Sequence, residues 1–100
     1  MLSDVMEDYL KAIYRIQARS GPPVSTSAIA DAIHKTPASV TSTLGTLEDR
    51  RLLLHQKHTG VELTPAGERV ALEVARHHRL LVAYLAEPPD YSRREVPEQP

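Results

Sequence analysis

The segment Thr36–Thr64 constrains the fold of this chain more than any other. Thr36 stands directly before Pro37, a pair favoured at helix starts, where threonine caps the first turn and proline supplies the first helical residue. The predicted helix extends to about Arg50 and begins with small hydroxyl side chains instead of bulky or charged ones. Such a start contributes little to a core, and it suits contact with a flat hydrogen-bonding surface such as the major groove of DNA.

A hairpin is predicted directly after this helix. Its strands are Leu52–Lys57 and Val61–Leu63, and its turn lies around Thr59-Gly60. A helix followed at once by a hairpin is the second half of a winged helix. The fold class we expect is therefore mainly α with a small β-hairpin.

Two further helices are predicted before this segment. The first extends from Ser3, a capping residue, to about Arg19. Its apolar residues recur at helical spacing and are Met6, Tyr9, Leu10, Ile13, Tyr14 and Ile16. Ser25 caps the second helix, which ends at the short turn His34-Lys35. Two helices separated by so short a turn predict a helix-turn-helix.

A long fourth helix is predicted after the hairpin. Thr64-Pro65 repeats the capping arrangement, and apolar side chains continue to Leu85, which makes roughly five to six turns at about 3.6 residues each. We expect part of so long a helix to pack against a partner chain. Pro88-Pro89 ends it. The predicted division is a winged-helix domain at 1–64, a long dimerisation helix at 65–87 and a frayed or disordered tail at 88–100.

Composition excludes several classes of protein. The chain has no Cys, so it has neither disulfides nor a thiolate metal site. No apolar run approaches the ~18 residues of a membrane span, and acidic residues near the N-terminus stand where a secretion signal has basic ones. We therefore expect a cytoplasmic protein with no membrane partner. The sequence shows no nucleophile–base pair and no glycine-rich phosphate loop, so we do not expect an enzyme.

The charge pattern permits DNA binding without making the chain a polycation. Net charge is −1, yet between Lys35 and Lys57 the Lys and Arg residues outnumber the Asp and Glu residues by two. Because this patch is modest, strong binding to DNA would need two copies of it. A DNA-binding function therefore implies a homodimer.

Five blocks of residues occur in an order and spacing that resemble a known family. They are Glu7–Tyr14, Val24–Ala30, Pro37–Thr41, Gly60–Glu68 and Arg76–Leu81. Over roughly residues 2 to 87 they resemble the N-terminal part of the diphtheria-toxin-repressor (DtxR/MntR) family of iron- and manganese-dependent regulators. The resemblance implies a homodimeric repressor whose winged helix binds a palindromic, double-stranded DNA operator. It also implies that a divalent metal, Mn(II) or Fe(II), switches the DNA affinity.

Candidate DNA-binding residues lie at the starts of the second and third helices and on the wing. They are Thr26, Ser27, Thr36, Pro37, Ala38, Ser39, Ser42, Lys57 and His58. Hydroxyl groups can donate to phosphates or reach base edges, and the Ala38 methyl can meet a thymine methyl. In the alternative interpretation these hydroxyl groups only cap helices.

The resemblance also implies a metal site between the first helix, the long helix and a helix that follows. Asp8 and His78 match ligand positions of the family, whereas Lys11 and Val82 stand where the family has acidic ligands. Carboxylate and imidazole groups suit Mn(II) or Fe(II). The sequence therefore supplies an incomplete site. Alternatively, Asp8 only interacts with the helix dipole and His78 lies at an interface or in solvent.

Two departures from the family pattern affect the third helix. Arg51 stands where the family usually has a helix-closing glycine, and Gly45 stands where a basic residue is common. We therefore expect Arg51 to close the helix in some other way, or the helix to continue, and DNA affinity to be reduced. The alternative function is a diverged winged-helix module that binds DNA or a protein partner independently of metal.

Overall fold

The computed structural model describes residues 2–86. Its elements are α1 (Asp4–Ser20), α2 (Thr26–Ile33), α3 (Pro37–Asp49), β1 (Leu53–Gln56), β2 (Gly60–Leu63) and α4 (Pro65–Ala86). The strands form one antiparallel hairpin. This is the predicted winged helix, mainly α with a small hairpin. The tail expected at 88–100 lies outside the described residues.

Three helices begin at the capping residues that the sequence predicts. The hydroxyl oxygens of Ser3, Ser25 and Thr36 each accept a hydrogen bond from the backbone N–H three residues later, at 3.1–3.2 Å. Each bond satisfies one donor that a helix start leaves without an intrahelical partner. These caps fix where α1, α2 and α3 begin, and the apolar stripe of each helix determines which face is turned inward.

The core lies where the three N-terminal helices meet the hairpin. It is aliphatic apart from one tyrosine, and its most deeply buried members are Tyr9, Leu10, Ile13, Val24, Ile29, Val40, Leu44, Leu47, Leu53 and Val61. Three of these, at positions 40, 44 and 47, form the predicted inward stripe of α3. Because that stripe is fully buried, the opposite face of α3 is turned to solvent.

A single residue before α2 extends the hairpin into a third, one-residue strand. Val24 and Val61 exchange both backbone hydrogen bonds, with N···O distances of 2.7 and 2.8 Å. Gly60 lies so close to Val24 that a Cβ there would overlap the Val24 carbonyl oxygen. Glycine at position 60 thus allows the start of β2 to pack on the chain before α2.

The hairpin turn lies slightly earlier than the sequence predicts. The Gln56 carbonyl accepts the Thr59 N–H at 3.0 Å, so the turn residues are Lys57, His58 and Thr59. Gly60 pairs with Gln56 and belongs to β2. The expected turn around Thr59-Gly60 is therefore wrong by about one residue, because the contact with Val24 holds Gly60 in the strand.

The end of α3 also differs from expectation. Arg51 adopts the left-handed backbone conformation itself, with φ 61°. Its N–H donates to the Glu48 carbonyl at 2.9 Å, and the Leu52 N–H donates to the Leu47 carbonyl at 3.1 Å. These are the paired bonds of a Schellman motif. The expectation of a different closure or a longer helix is wrong, since these bonds and the burial of Leu47 and Leu52 offset the strain.

The first turns of α4 are fastened to the end of α3. The Thr64 hydroxyl accepts the Gly67 N–H at 3.0 Å and donates to the Arg51 carbonyl at 2.8 Å. Gly67 is buried, and a Cβ there would overlap the Leu52 carbonyl oxygen. The predicted cap at Thr64 therefore joins two helices as well as starting one.

Gln17 of α1 completes this junction. Its amide oxygen accepts the Leu63 N–H at 3.0 Å, and its amide nitrogen donates to the Glu68 carboxylate at 3.2 Å. One side chain thereby links α1, β2 and α4. These two hydrogen bonds hold the three elements together near the base of the wing.

The second half of α4 is largely solvent-exposed. It has 22 residues, hence a length of about 33 Å, and its buried residues are Gly67 and Ala71 in the first half. Five large apolar side chains near its end are 48–67% exposed, namely Leu80, Leu81, Val82, Tyr84 and Leu85. Within residues 2–86, no helix combines the length and apolar character needed to cross a membrane.

We expect Arg51→Gly to raise the free energy of unfolding by about 0.5–1 kcal/mol, because glycine avoids the left-handed strain but loses more entropy on folding. Urea denaturation measures the change. Arg51→Ala is the matched control, since it removes the same side chain and keeps the strain at φ 61°. Equal stability of the two variants would contradict the assignment of strain to this backbone.

Candidate nucleic-acid interface and metal groove

The outward face of α3 and the residue that caps it present small polar and methyl groups. The exposed positions predicted to contact DNA are Thr36, Pro37, Ala38, Ser39 and Ser42, and the structure adds Thr41. Thr41 follows Ala38 by three residues, so helical periodicity could have identified it. The segment Pro37–Asp49 contains no Lys or Arg. This face can therefore form hydrogen bonds and methyl contacts, but it supplies no positive charge.

The other predicted contacts flank α3 on two sides. Ser27 is exposed and Thr26 half-buried at the start of α2, where the first backbone N–H groups have no intrahelical acceptor. Lys57 and His58 are exposed at the tip of the wing. In chain order, the start of α2 thus precedes α3 and the wing tip follows it.

The cations of this region surround α3. Lys35 precedes it, Arg50 and Arg51 follow it, and Lys57 lies in the wing turn; all four are exposed. This arrangement suits contact with phosphates on either side of a groove, while the outward face of α3 meets base edges.

A contact that the sequence did not reveal joins α3 to the wing. The Glu48 carboxylate accepts the His55 backbone N–H at 3.2 Å and lies 2.9 Å from His55 Nδ1. Both side chains are 41% exposed. The hydrogen bond from the His55 ring, and next the one from its backbone N–H, hold the pKa of Glu48 below its ordinary value. No local spacing rule predicts this contact, because it depends on how the chain turns at Arg51.

The two candidate metal ligands line the same groove. Asp8 on α1 and His78 on α4 both border a cavity of about 620 Å³. Its other lining residues are Asp4, Glu7, Lys11, Glu73, Val74, His77 and Leu81. Glu73, His77 and Leu81 recur every four residues on α4, a spacing that could have indicated them as groove-lining from the sequence.

The donor groups of this groove do not by themselves fit a metal ion. Within residues 2–86, no three carboxylate or imidazole groups converge closely enough to hold one. Lys11 adds an ammonium group to the lining, where a cation site would be better served by a further carboxylate. The described part of the chain therefore offers two candidate donors, Asp8 and His78, and not a complete coordination sphere.

Comparisons with known proteins identify the family that this chain resembles. Residues 1–61 match the family described as "Iron dependent repressor, N-terminal DNA binding domain". The HTH-type transcriptional regulator MntR of Lysinibacillus sphaericus (strain C3-41) is 35% identical over 80 residues, which are 80% of this chain and 57% of that protein. The chain thus spans a little over half the length of this curated relative.

Two solved structures are similar over most of the chain. The manganese regulator SloR matches with a TM-score of 0.72 and 31% identity, covering 83% of this chain and 38% of that one. ScaR, solved with bound Zn²⁺, matches with a TM-score of 0.67 and 30% identity, covering 81% of this chain and 37% of that one. The family model describes a DNA-binding repressor domain, and MntR is named a transcriptional regulator, which agrees with the prediction that this chain is a regulator and not an enzyme. The chain belongs to the iron dependent repressor family and contains its N-terminal DNA-binding domain.

Proposed function

We propose that this chain is the DNA-binding part of a metal-responsive repressor that binds a palindromic operator as a homodimer in the cytoplasm. The observation that carries the proposal is the outward face of α3. Its small polar and methyl groups are held by the buried stripe Val40, Leu44 and Leu47, and exposed cations flank it. A rigid helix with such a face fits the major groove of DNA.

In this arrangement α3 lies in the major groove and its neighbours hold the backbone. Ser39 and Ser42 hydrogen-bond to base edges, and the Ala38 methyl packs on a thymine methyl. The Thr36 oxygen already accepts the Ser39 N–H at 3.2 Å, but its O–H remains a donor for a phosphate. Capping and DNA contact are therefore compatible roles for the same hydroxyl group.

Backbone contacts in this proposal come from the start of α2, the start of α3 and the wing. Thr26 and Ser27 bind a phosphate through their hydroxyl and N–H groups, and Pro37 packs against the sugar–phosphate chain. Lys57 and His58 reach the adjacent phosphates from the wing tip. These contacts fix the orientation of α3 without reading the sequence.

Dimerisation in this proposal uses the second half of α4. Its exposed apolar side chains, 48–67% accessible, form a patch suited to a second copy of the chain. A two-fold dimer places two copies of α3 on two half-sites, which requires a palindromic operator. It also doubles the number of cations that contact phosphate, which raises affinity steeply at low salt.

The proposed metal response uses Asp8 and His78 as ligands for Mn(II) or Fe(II). The two residues line one groove between α1 of the winged helix and α4, and their oxygen and nitrogen donors suit these ions. Further ligands would have to come from outside residues 2–86, because no third donor converges within them. That shortage is the observation behind the second candidate, a winged-helix module that binds DNA independently of metal.

We expect the double substitution Ser39→Glu and Ser42→Glu to weaken operator binding roughly a hundredfold or more, since each lost base contact costs about 1–3 kcal/mol and each new carboxylate repels phosphate. Fluorescence anisotropy with a labelled palindromic duplex at low salt measures the affinity. The double substitution Ala18→Glu and Ser20→Glu is the control, because it adds the same charge at exposed positions of α1. Retained affinity in the first variant would show that α3 does not face the DNA.

We expect Mn(II) to tighten operator binding by this chain, and a chelator to reverse the gain. Asp8→Asn combined with His78→Ala should remove the Mn(II) effect and leave the metal-free affinity unchanged, because neither residue lies on α3 or the wing. Asp31→Asn, an exposed acid on α2, is the control. If chelator leaves the wild-type affinity unchanged, the metal response is wrong and the metal-independent module is the better proposal.

A further inference from the structure

The contact between Glu48 and His55 connects the last turn of α3 to the middle of β1. One carboxylate oxygen accepts the His55 backbone N–H at 3.2 Å, and the other lies 2.9 Å from His55 Nδ1. Both oxygens of one side chain thus engage both the backbone and the ring of one wing residue. Such a two-point contact restrains direction as well as distance.

The hydrogen-bond pattern of the hairpin explains why this N–H needs a partner outside the sheet. His55 pairs with Val61 across the hairpin. Val61 uses its N–H and its carbonyl on Val24, at 2.8 and 2.7 Å, so it cannot exchange bonds with His55. The His55 N–H is therefore turned toward the outer edge of β1. Glu48 occupies that edge in place of another strand.

The two strands of the wing are restrained in different ways. Val24 and Gln17 hold β2, through the bonds at Val61 and Leu63. In β1, Leu53 is buried, but every residue from 54 to 59 is exposed, so no buried side chain fixes that strand beyond its first residue. The turn that carries Lys57 begins two residues after His55. The contact with Glu48 thus ties β1 to α3 two residues before the turn begins, whereas Gln56 donates to Glu62 within the hairpin itself.

We propose that Glu48 and His55 are positioning residues, which hold the wing against α3 so that Lys57 reaches the DNA backbone while α3 occupies the groove. The inference rests on the proposed DNA-binding function. An exposed pair of this kind contributes little to folding stability. Its effect is on the fraction of molecules whose wing is already placed for binding, and the apparent affinity scales with that fraction.

The charge of Glu48 allows a sharp test. A carboxylate beside the DNA-facing surface repels phosphates, so a bystander at position 48 would weaken binding and its removal would tighten it. Removal of a positioning residue would instead weaken binding, because it frees the wing. Asp49 is the matched control, since it is an exposed acid at the adjacent position and takes no part in the contact.

The experiment compares Glu48→Ala, Glu48→Gln and Asp49→Ala in the full chain, with operator affinity from anisotropy and folding from thermal denaturation. We expect Glu48→Ala to weaken binding at least threefold and Asp49→Ala to tighten it slightly. Glu48→Gln should keep the wild-type affinity or exceed it, because its amide oxygen can accept the backbone N–H and its amide nitrogen can donate to His55 Nδ1 in the tautomer that carries the ring proton on Nε2. Rescue by glutamine would show that binding depends on the contact with His55 and not on the negative charge of Glu48.

A second measurement tests whether the effect passes through the wing. Lys57→Ala should weaken wild-type binding and lower the salt slope by about one. In the Glu48→Ala background the same substitution should cost less, because the wing is already displaced. His55→Ala should reproduce Glu48→Ala in part, and His55→Asn should restore the affinity, since its side-chain amide can replace Nδ1. These histidine variants keep the test valid if Glu48→Ala unfolds.

The outcomes separate the inference from the proposed function. If Glu48→Ala tightens binding as Asp49→Ala does, or if the cost of Lys57→Ala is unchanged in the Glu48→Ala background, the positioning role is overturned while DNA binding stands. If the wild-type chain binds no palindromic duplex even at low salt, the proposed function is overturned and the positioning role with it.

Discussion

The backbone of Leu52 is the point on which the rest of the structure depends. Its N–H donates to the Leu47 carbonyl and closes α3, while its carbonyl accepts the Thr64 N–H before α4, both at 3.1 Å. Gly67 packs directly against the same carbonyl. One peptide segment therefore fixes where α3 ends, where the wing begins and how closely α4 approaches.

Local sequence patterns were enough to predict the elements of this fold. Capping residues located the helix starts, and the apolar stripe of α3 identified its inward face, because both depend on neighbours within about four positions. Sequence patterns did not predict the left-handed conformation of Arg51, because this conformation is unfavourable for an arginine. It is tolerated because Leu47 and Leu52 are buried beside it. The links made by Gln17 were missed for a related reason. They join residues 46 and 51 positions apart, and only the tertiary fold brings these together.

In the candidate site, too, some features could be predicted from local sequence patterns and others could not. The outward residues of α3 could be predicted, because exposure on a helix is the complement of burial. Asp8 and His78 were predicted as metal ligands from a family resemblance, and the structure places both along one groove. Glu73 and His77 line it too, and their four-residue spacing on α4 was a usable signal. The contact between Glu48 and His55 had no such signal, because it requires the exact turn at Arg51 and the outward direction of a strand N–H.

The absence of Lys and Arg from Pro37–Asp49 separates two tasks that many DNA-binding helices combine. In the proposed complex, hydroxyl and methyl groups on α3 discriminate between bases, while cations at its two ends and on the wing supply the salt-dependent attraction to phosphate. Substitutions on α3 then change sequence preference with little effect on the salt slope, and substitutions at Lys35 or Lys57 do the reverse. Because attraction and discrimination reside on different elements, the geometry that joins the elements matters more than it would for a single basic helix. In the proposed complex, the junction at Leu52 and the contact at Glu48 therefore influence affinity through this geometry and not through contacts of their own with DNA.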